Sequence, residues 1–382
     1  MPTPYRDLFD IPRDVAYLNA ASCGPLPNAT VAAGRAAMAN KAQPWRLGAD
    51  FISEQNERAR AAAAKLINAR ADDVSLIPSV GYGIATVAKS LDVPRGSRAL
   101  VLEDDHTSPV LEWEARAESQ GFLVDTVARP PGLDWTAAVL AAMQRPGAAP
   151  LSVVSISSIH WTDGAVLDLD AIAAATRRHG AAFIVDATQS VGVIPIDVAS
   201  LDPDALIFPT YKWLLGPYAR AFLYLAKRRQ SGIPLEQTQH GRRGVRADND
   251  VYFADLGYAD TARRFDMGQR DHFVSMPMTS TSLDLINELG PATIMRTLKP
   301  LVDRLADGLA GLPISLTPAR YRTPHILGVG FPNGRPADLV QRLARQGVFA
   351  AMRLGKLRLS PHIYNDAADI DRAVDALRSA LG

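Results

Sequence analysis

Lys212 stands in the stretch Phe208-Pro209-Thr210-Tyr211-Lys212-Trp213-Leu214-Leu215-Gly216-Pro217, one crossover's length after an apolar run that leads into Asp186 and Gln189. A lysine amine forms a Schiff base with a carbonyl compound only after losing its proton, which a partly dry pocket promotes. Asp186 follows the apolar residues 181–184, so its carboxylate falls at the carboxyl end of a buried strand, where open α/β sheets bind ligands. A carboxylate beside a pyridine nitrogen keeps that ring protonated. A protonated ring is the electron sink needed to labilise a group on an amino acid's α-carbon. Asp186 and Lys212 in this order therefore point to pyridoxal 5'-phosphate, with Gln189 placed to bond the ring's phenolic oxygen. Each residue alone has a plainer reading, a helix-capping aspartate or a solvated lysine; it is their combination that carries chemistry.

The phosphate of such a cofactor needs a cradle. Ser79-Val80-Gly81-Tyr82-Gly83 opens an apolar helical run, so the N–H groups of Val80 and Gly81 face outward at a helix N-terminus, where the dipole favours an anion. The same turn would serve equally to join a strand to a helix. The α-carboxylate of an amino acid is held best by a bidentate guanidinium.

The elements that must position these residues are legible as alternating short apolar runs and helical patterns. Residues 57–67 read as a helix, 99–102 as a strand ending in Glu103-Asp104-Asp105, and 151–156 as another strand. Residues 168–180 carry acids in the first turn, bases in the last and a terminal glycine, as helix ends prefer. Strands at 181–186, 205–208 and 221–225 follow. This βαβ alternation argues for a mostly parallel sheet covered on both faces. The pattern stops around 228–250, where 228–234 and 241–244 read as loops; helices are expected again at 337–346 and 366–381.

With 382 residues and 47% hydrophobic content, the chain is long enough for two domains and a large core. A net charge of +1 offers no electrostatic case for nucleic acid or membrane surfaces. Neither a signal-type apolar segment nor a bilayer-length run occurs, which makes a cytoplasmic location the expectation. Cys23, the single cysteine, allows no internal disulfide, and no metal is expected.

These motifs, joined by Tyr17-Leu18-Asn19-Ala20-Ala21, Asp105-His106-Thr107-Ser108 and Arg358-Leu359-Ser360, resemble the class V aminotransferase group of fold-type I pyridoxal phosphate enzymes, in the branch of cysteine desulfurases, isopenicillin-N epimerase and kynureninase. The resemblance spans nearly the whole chain. It implies an α/β fold-type I architecture with a mostly parallel, seven-stranded-type sheet and a smaller C-terminal α+β domain. It also implies an N-terminal segment at 1–15 packing on that small domain, a large domain at 16–245, the small one at 246–382, and a homodimer with shared active sites. His106 would stack on the pyridine ring, or else cap the helix that starts near Thr107. Tyr211 would make a second phosphate contact, and Thr210 would compensate for Pro209, which stands where desulfurases have a serine. Gln269, followed by Arg270, stands where a neighbouring subunit's threonine completes the phosphate site. Arg358 would bind the substrate carboxylate, with Arg353 as the alternative, and Asn19 and Ala20 would touch the substrate. Either His160 or Trp161 occupies the position of an asparagine near the cofactor.

Desulfurases that form a persulfide carry their cysteine between the equivalents of Arg353 and Arg358, where this chain has only Leu354-Gly355-Lys356-Leu357. The expected reaction is therefore chemistry on an α-amino acid through an aldimine and an α-carbanion, with β-elimination of the C–S lyase type or epimerisation and no persulfide. A true aminotransferase is the alternative, and a non-catalytic cofactor-binding regulator a remote one.

Overall fold

The computed structural model describes residues 5–246 and 250–381. From the N-terminus, β1 (Ala16–Tyr17) leads into α1 (Asn28–Lys41) and α2 (Ala49–Leu66). There follow β2 (Val74–Ile77), α3 (Val80–Ser90), β3 (Arg98–Leu102), α4 (Thr107–Gln120), β4 (Leu123–Val127), α5 (Trp135–Met143), β5 (Leu151–Ser157), α6 (Leu169–Arg178), β6 (Ala182–Asp186), α7 (Val198–Leu201), β7 (Ala205–Pro209) and β8 (Ala221–Leu225). Strands β2 to β8 form one seven-stranded sheet in the order β2-β8-β7-β6-β5-β3-β4. It is parallel except at β8, which runs antiparallel to both β7 and β2.

Every residue of β3, β6, β7 and β8 is buried, which is what a sheet covered on both faces requires. Alternate side chains point to opposite faces. Leu100, Val154, Phe183, Val185, Leu206 and Phe208 join one apolar cluster, whereas Val101, Val153, Ile184, Ala205 and Ile207 join another on the far side. The edge strand β4 shows Leu123 to solvent.

Beyond β8 lie β9 (Arg242–Val245) and β10 (Phe253–Tyr258), an antiparallel pair with irregular register. The loop expected at 241–244 is thus corrected to a strand. Arg242-Arg243-Gly244-Val245 has no apolar alternation to betray it, and pairing with β10 makes the strand. A Cβ on Gly244 would lie 2.5 Å from the Asp255 nitrogen, so only glycine permits that approach.

Next come α8 (Ser275–Leu289), α9 (Pro291–Gly308), β11 (Ser315–Leu316), β12 (Leu327–Gly330), α10 (Leu339–Arg345), β13 (Val348–Phe349), β14 (Ala351–Arg353), β15 (Lys356–Leu359) and α11 (Ala367–Leu381). Helix α8 lies against α1 and α2, bonding Gln55 O through Ser280 and Ala62 O through Asn287. Strands β11, β12, β15 and β14 form a second, antiparallel sheet in that order. β1 pairs in parallel with β13, and Arg6 reaches Asp369 at 2.5 Å and the Tyr364 carbonyl at 3.1 Å. The segment that precedes β1 is thereby tied to the C-terminal part of the chain; residues 1–4 of the segment expected there lie outside the described ones. No helix among the described residues is long and apolar enough to cross a membrane.

Candidate active site

The carboxyl ends of β3, β5, β6 and β7 deliver Asp105 and His106, Ser157, Asp186 and Lys212 to one edge of the large sheet. Asp186 is buried, and Thr188 N donates to its Oδ1 at 2.9 Å, while its Oδ2 takes no hydrogen bond from any described residue. Lys212 is 6% exposed and its Nζ donates to no described acceptor, lying 5.5 Å from the centre of the Tyr211 ring. Burial lowers its pKa to about 8, with Asp186 opposing and the charges of Arg358 and Arg353 adding to the fall. A lysine so placed is neutral far more often than a surface one.

The Lys212 loop is braced from two sides. Gly24 N donates to Tyr211 O at 2.9 Å, and a Cβ on Gly24 would sit 2.2 Å from Lys212 O, so the N-terminal turn packs directly on the loop's backbone. On the other side Trp213 is stacked 5.6 Å from His362 and lies edge-on to His325 at 4.3 Å. His325 Nε2 donates to Gln189 O at 2.7 Å and His362 Nε2 to Trp213 O at 3.1 Å, and burial pushes their pKa values down to about 3 and about 4. The Gln189 side chain is largely committed to this brace, accepting from Trp213 Nε1 at 2.7 Å and donating to Ala21 O at 3.2 Å. Its second amide hydrogen and the second lone pair of Oε1 are left for a ligand.

His106 is the N-cap of α4 but makes no side-chain cap bond, so capping does not explain it. Burial lowers its pKa; Asp186 opposes, while Lys212 and Arg358 reinforce the fall. The Asp105 carboxylate accepts from His106 N at 2.7 Å, from Ser157 N at 2.9 Å and from Ser157 Oγ at 2.6 Å, and fixes where His106 starts. Of the two candidates in the next loop, Trp161 is the one beside His106, edge-on at 5.7 Å, with its indole N–H on Asp104 O. His160 points away: it stacks on Trp135 at 4.8 Å, donates from Nε2 to Glu103 O at 3.1 Å and accepts at Nδ1 from Thr162. Periodicity in an irregular loop could not separate these neighbours.

Arg358 is 1% exposed, and no carboxylate among the described residues pairs with it. Its Nη1 donates to Trp161 O at 2.6 Å and its Nη2 to Ser22 Oγ at 2.7 Å, while Nε has no partner. Arg353 Nη2 reaches the same Ser22 oxygen at 2.7 Å. Two guanidinium groups thus converge on one neutral hydroxyl, leaving a buried cation that an incoming anion would compensate. Asn19 Oδ1 is likewise buried without a partner, and Ala20 N donates to Ser360 O at 3.1 Å. Ser22 carries no motif of its own; of its side of the site, the sequence pointed only to Asn19 and Ala20.

At the N-terminus of α3 Ser79 Oγ accepts from Tyr82 N at 3.2 Å and leaves the N–H groups of Val80 and Gly81 without acceptors inside the helix. A Cβ on Gly81 would meet only Ser108 Oγ at 3.7 Å, so space is open there. Tyr211 stacks on Tyr218 at 4.1 Å. The buried hydroxyl of Thr210 lies 2.5 Å from Pro217 O and 3.1 Å from Arg220 O and holds the β7–β8 connection together. Gln269 is exposed, in a segment anchored by the buried pair Arg60–Asp266 at 2.7 Å. No cluster fit to hold a metal occurs among the described residues.

A family model described as aminotransferase class-V matches residues 16–372. The chain belongs to that family. It is 29% identical over 336 residues to the uncharacterized aminotransferase YcbU of Bacillus subtilis (strain 168), covering 85% of this chain and 83% of that one. It is 26% identical over 393 residues to an isopenicillin N epimerase of Streptomyces clavuligerus, covering 96% and 95%. Among solved structures, a C-DES mutant with glycine covalently linked to its PLP cofactor superimposes with a TM-score of 0.88 at 22% identity, covering all of both chains. The cystine C–S lyase C-DES with cysteine persulfide gives 0.86 at 20% identity, over 97% and 99%. The fold is fold-type I, and the cofactor of this class-V enzyme is pyridoxal 5'-phosphate. The residues present fit that group: an unpaired lysine of lowered pKa, a free carboxylate oxygen, unfilled N–H groups at a helix N-terminus and an uncompensated guanidinium.

Proposed function

We propose that this enzyme eliminates a β-substituent from an α-amino acid by breaking a carbon–sulfur bond, with no persulfide on the protein. The observation carrying this reading is the β14–β15 turn. Leu354 (φ 43°) and Gly355 (φ 79°) both sit in the left-handed region, making a two-residue hairpin turn with no room for a loop bearing a nucleophile. Cys23, the one thiol, is on the N-terminal turn, its Sγ directed at Gly24 O at 3.9 Å.

In this reading Lys212 would hold the cofactor, Asp186 would keep its pyridine nitrogen protonated, His106 would cover the ring, and Val80, Gly81 and Tyr211 would hold the phosphate. Bound there, pyridoxal phosphate supplies the electron sink that lowers the cost of removing the α-proton. Arg358 takes the substrate carboxylate, with Ser22, Asn19 and Ala20 lining the same side. Once the substrate amine has displaced it, the freed, neutral Lys212 Nζ would accept the α-proton; the Cα–H electron pair would become a Cα–Cβ double bond, and the pair of the carbon–sulfur bond would leave with sulfur. Water then releases ammonium and a 2-oxo acid. Gln269 is assigned to a partner subunit's phosphate site in a homodimer, in keeping with its exposure and with the family's habit of sharing sites.

Epimerisation at the α-carbon is the second reading, favoured by similarity to isopenicillin N epimerase along nearly the full chain. A single turnover with cysteine, cystine and alanine separates the reactions. Ammonia and oxo acid with the cofactor spectrum restored support the lyase; loss of optical activity without ammonia supports the epimerase; conversion of the cofactor to its amine form would overturn both in favour of transamination. A Lys212→Ala protein that kept its function in the cell unchanged would defeat the enzymatic reading altogether, whereas one that still turned over substrate would defeat only the role given to Lys212.

A further inference from the structure

The loop after β5 is the surface on which the second sheet is docked. Thr323 N donates to Gly164 O at 2.9 Å, Thr317 Oγ1 donates to Asp163 O at 2.9 Å, and a Cβ on Gly328 would lie 2.6 Å from Asp163 Cα. Gly328 is also the residue directly opposite Arg358 in the β12–β15 ladder. The loop therefore lies flat against the pair of strands that carries the carboxylate-binding arginine, and glycine at 328 makes the contact possible.

Asp163, 1% exposed, is the charge at the centre of that contact. Its carboxylate takes Arg129 Nη1 at 2.6 Å from the end of β4 and Lys356 Nζ at 2.5 Å from β15. His160 also faces it, with Nδ1 at 4.0 Å, and Asp104 lies 3.8 Å from Arg129 Nε on the far side of that guanidinium's charge. Lys356 and Arg358 are two apart in a strand and so share one face, roughly 7 Å apart along it. Two residues apart on the loop, Asp163 and Trp161 receive them side by side: Lys356 on the Asp163 carboxylate and Arg358 on the Trp161 carbonyl. Two parallel attachments fix both the position of β15 and its rotation, where one alone would act as a pivot.

We propose that Asp163 is a positioning residue: by bridging Arg129 to Lys356 it holds β15, and through β15 the Arg358 guanidinium, in the place where a substrate carboxylate is received. The inference rests on the reading of Arg358 as the carboxylate binder. Neither Asp163 nor Lys356 touches the reacting atoms, so their loss acts on substrate capture and leaves the proton-transfer step in place.

The test compares Asp163→Asn, Lys356→Met and Lys356→Arg in the holoenzyme. Asp163→Asn and Lys356→Met are each expected to raise KM about 10- to 100-fold with kcat changed little, the scale at which misplacing a binding group by an ångström is felt. Lys356→Arg keeps the ion pair and is expected to retain the wild-type KM. Backbone amides of residues 356–359 should exchange faster in the first two variants, and the double variant should cost no more than either single one. A lowered melting temperature with unchanged KM would mean that Asp163 is only structural and would overturn the proposal. If Asp163→Asn fails to fold, Lys356→Met carries the same test. Arg358→Ala keeps the two readings apart: unaltered KM in that variant defeats the carboxylate assignment itself, whereas raised KM there beside wild-type KM in the Asp163 and Lys356 variants defeats only the positioning role.

Discussion

Arg358 Nη2 donates to Ser22 Oγ at 2.7 Å, joining β15 to the turn after β1 across more than three hundred residues of sequence. A serine hydroxyl cannot neutralise a guanidinium, so the bond orients Arg358 and leaves its charge unanswered. That is the arrangement a binding site for a carboxylate needs, since a pre-formed acidic partner would compete with the ligand.

Arg358→Ala is expected to lose about 2–5 kcal/mol in kcat/KM, the cost of truncating one partner of a buried charge pair. The loss should disappear when the amino acid is replaced by the corresponding amine, which has no carboxylate to hold. Steady-state kinetics with the matched pair of compounds measures this, and an equal loss for both would mean that Arg358 acts elsewhere.

The depressed pKa of Lys212, about 8 against an ordinary 10.5, has two consequences of opposite convenience. The rate at which the apoprotein captures pyridoxal phosphate should rise about tenfold per pH unit below pH 8 and level off above it, because only the neutral amine attacks. Stability runs the same way: between these two values the unfolded chain holds a proton that the folded chain does not, so the apoprotein gains stability as pH rises through that window. Lys212→Met apoprotein should therefore melt above wild type at pH 7, by up to about 3 kcal/mol, and the gap should close towards pH 10. A gap independent of pH would place the effect in packing.

Gly24→Ala tests the brace on the lysine loop. The added Cβ would fall 2.2 Å from Lys212 O, so either the N-terminal turn or the loop must shift. Overpacking of this kind costs about 1–3 kcal/mol or more. We expect a lower melting temperature together with weaker cofactor retention, read by dialysis and absorbance; an unchanged holoenzyme would show that the turn moves freely.

Asp186→Asn preserves the hydrogen bond from Thr188 N, because an amide oxygen accepts as a carboxylate does. Fold and melting temperature should survive while turnover falls by about 10²-fold or more, the scale of losing a preorganised charge next to the reacting system. Circular dichroism and kinetics on the same preparation decide it.

Much of the fold and of the site is legible in the sequence. Lys212 and Asp186 announced themselves because continuous apolar runs mark strands buried on both faces, and such strands end where ligands bind. The class of fold followed from the same runs. Residues 242–245 escaped, since Arg-Arg-Gly-Val becomes a strand only by pairing with residues 253–258. The hydroxyl of Thr210 was taken by backbone carbonyls of its own hairpin, a commitment that composition does not express.

The order of Asp186 and Lys212, the helix-opening Val80 and Gly81, and the two-residue gap between Arg353 and Lys356 were properties of the chain by itself, because each depends on neighbours a few residues away. Whether His160 or Trp161 meets His106, why Gln189 is spoken for, how Ser22 comes to face Arg358, and that Asp163 bridges Arg129 to Lys356 were decided by the tertiary structure. These contacts join segments far apart in sequence, and buried charges choose their partners only once packing has removed water and left a few polar atoms within reach.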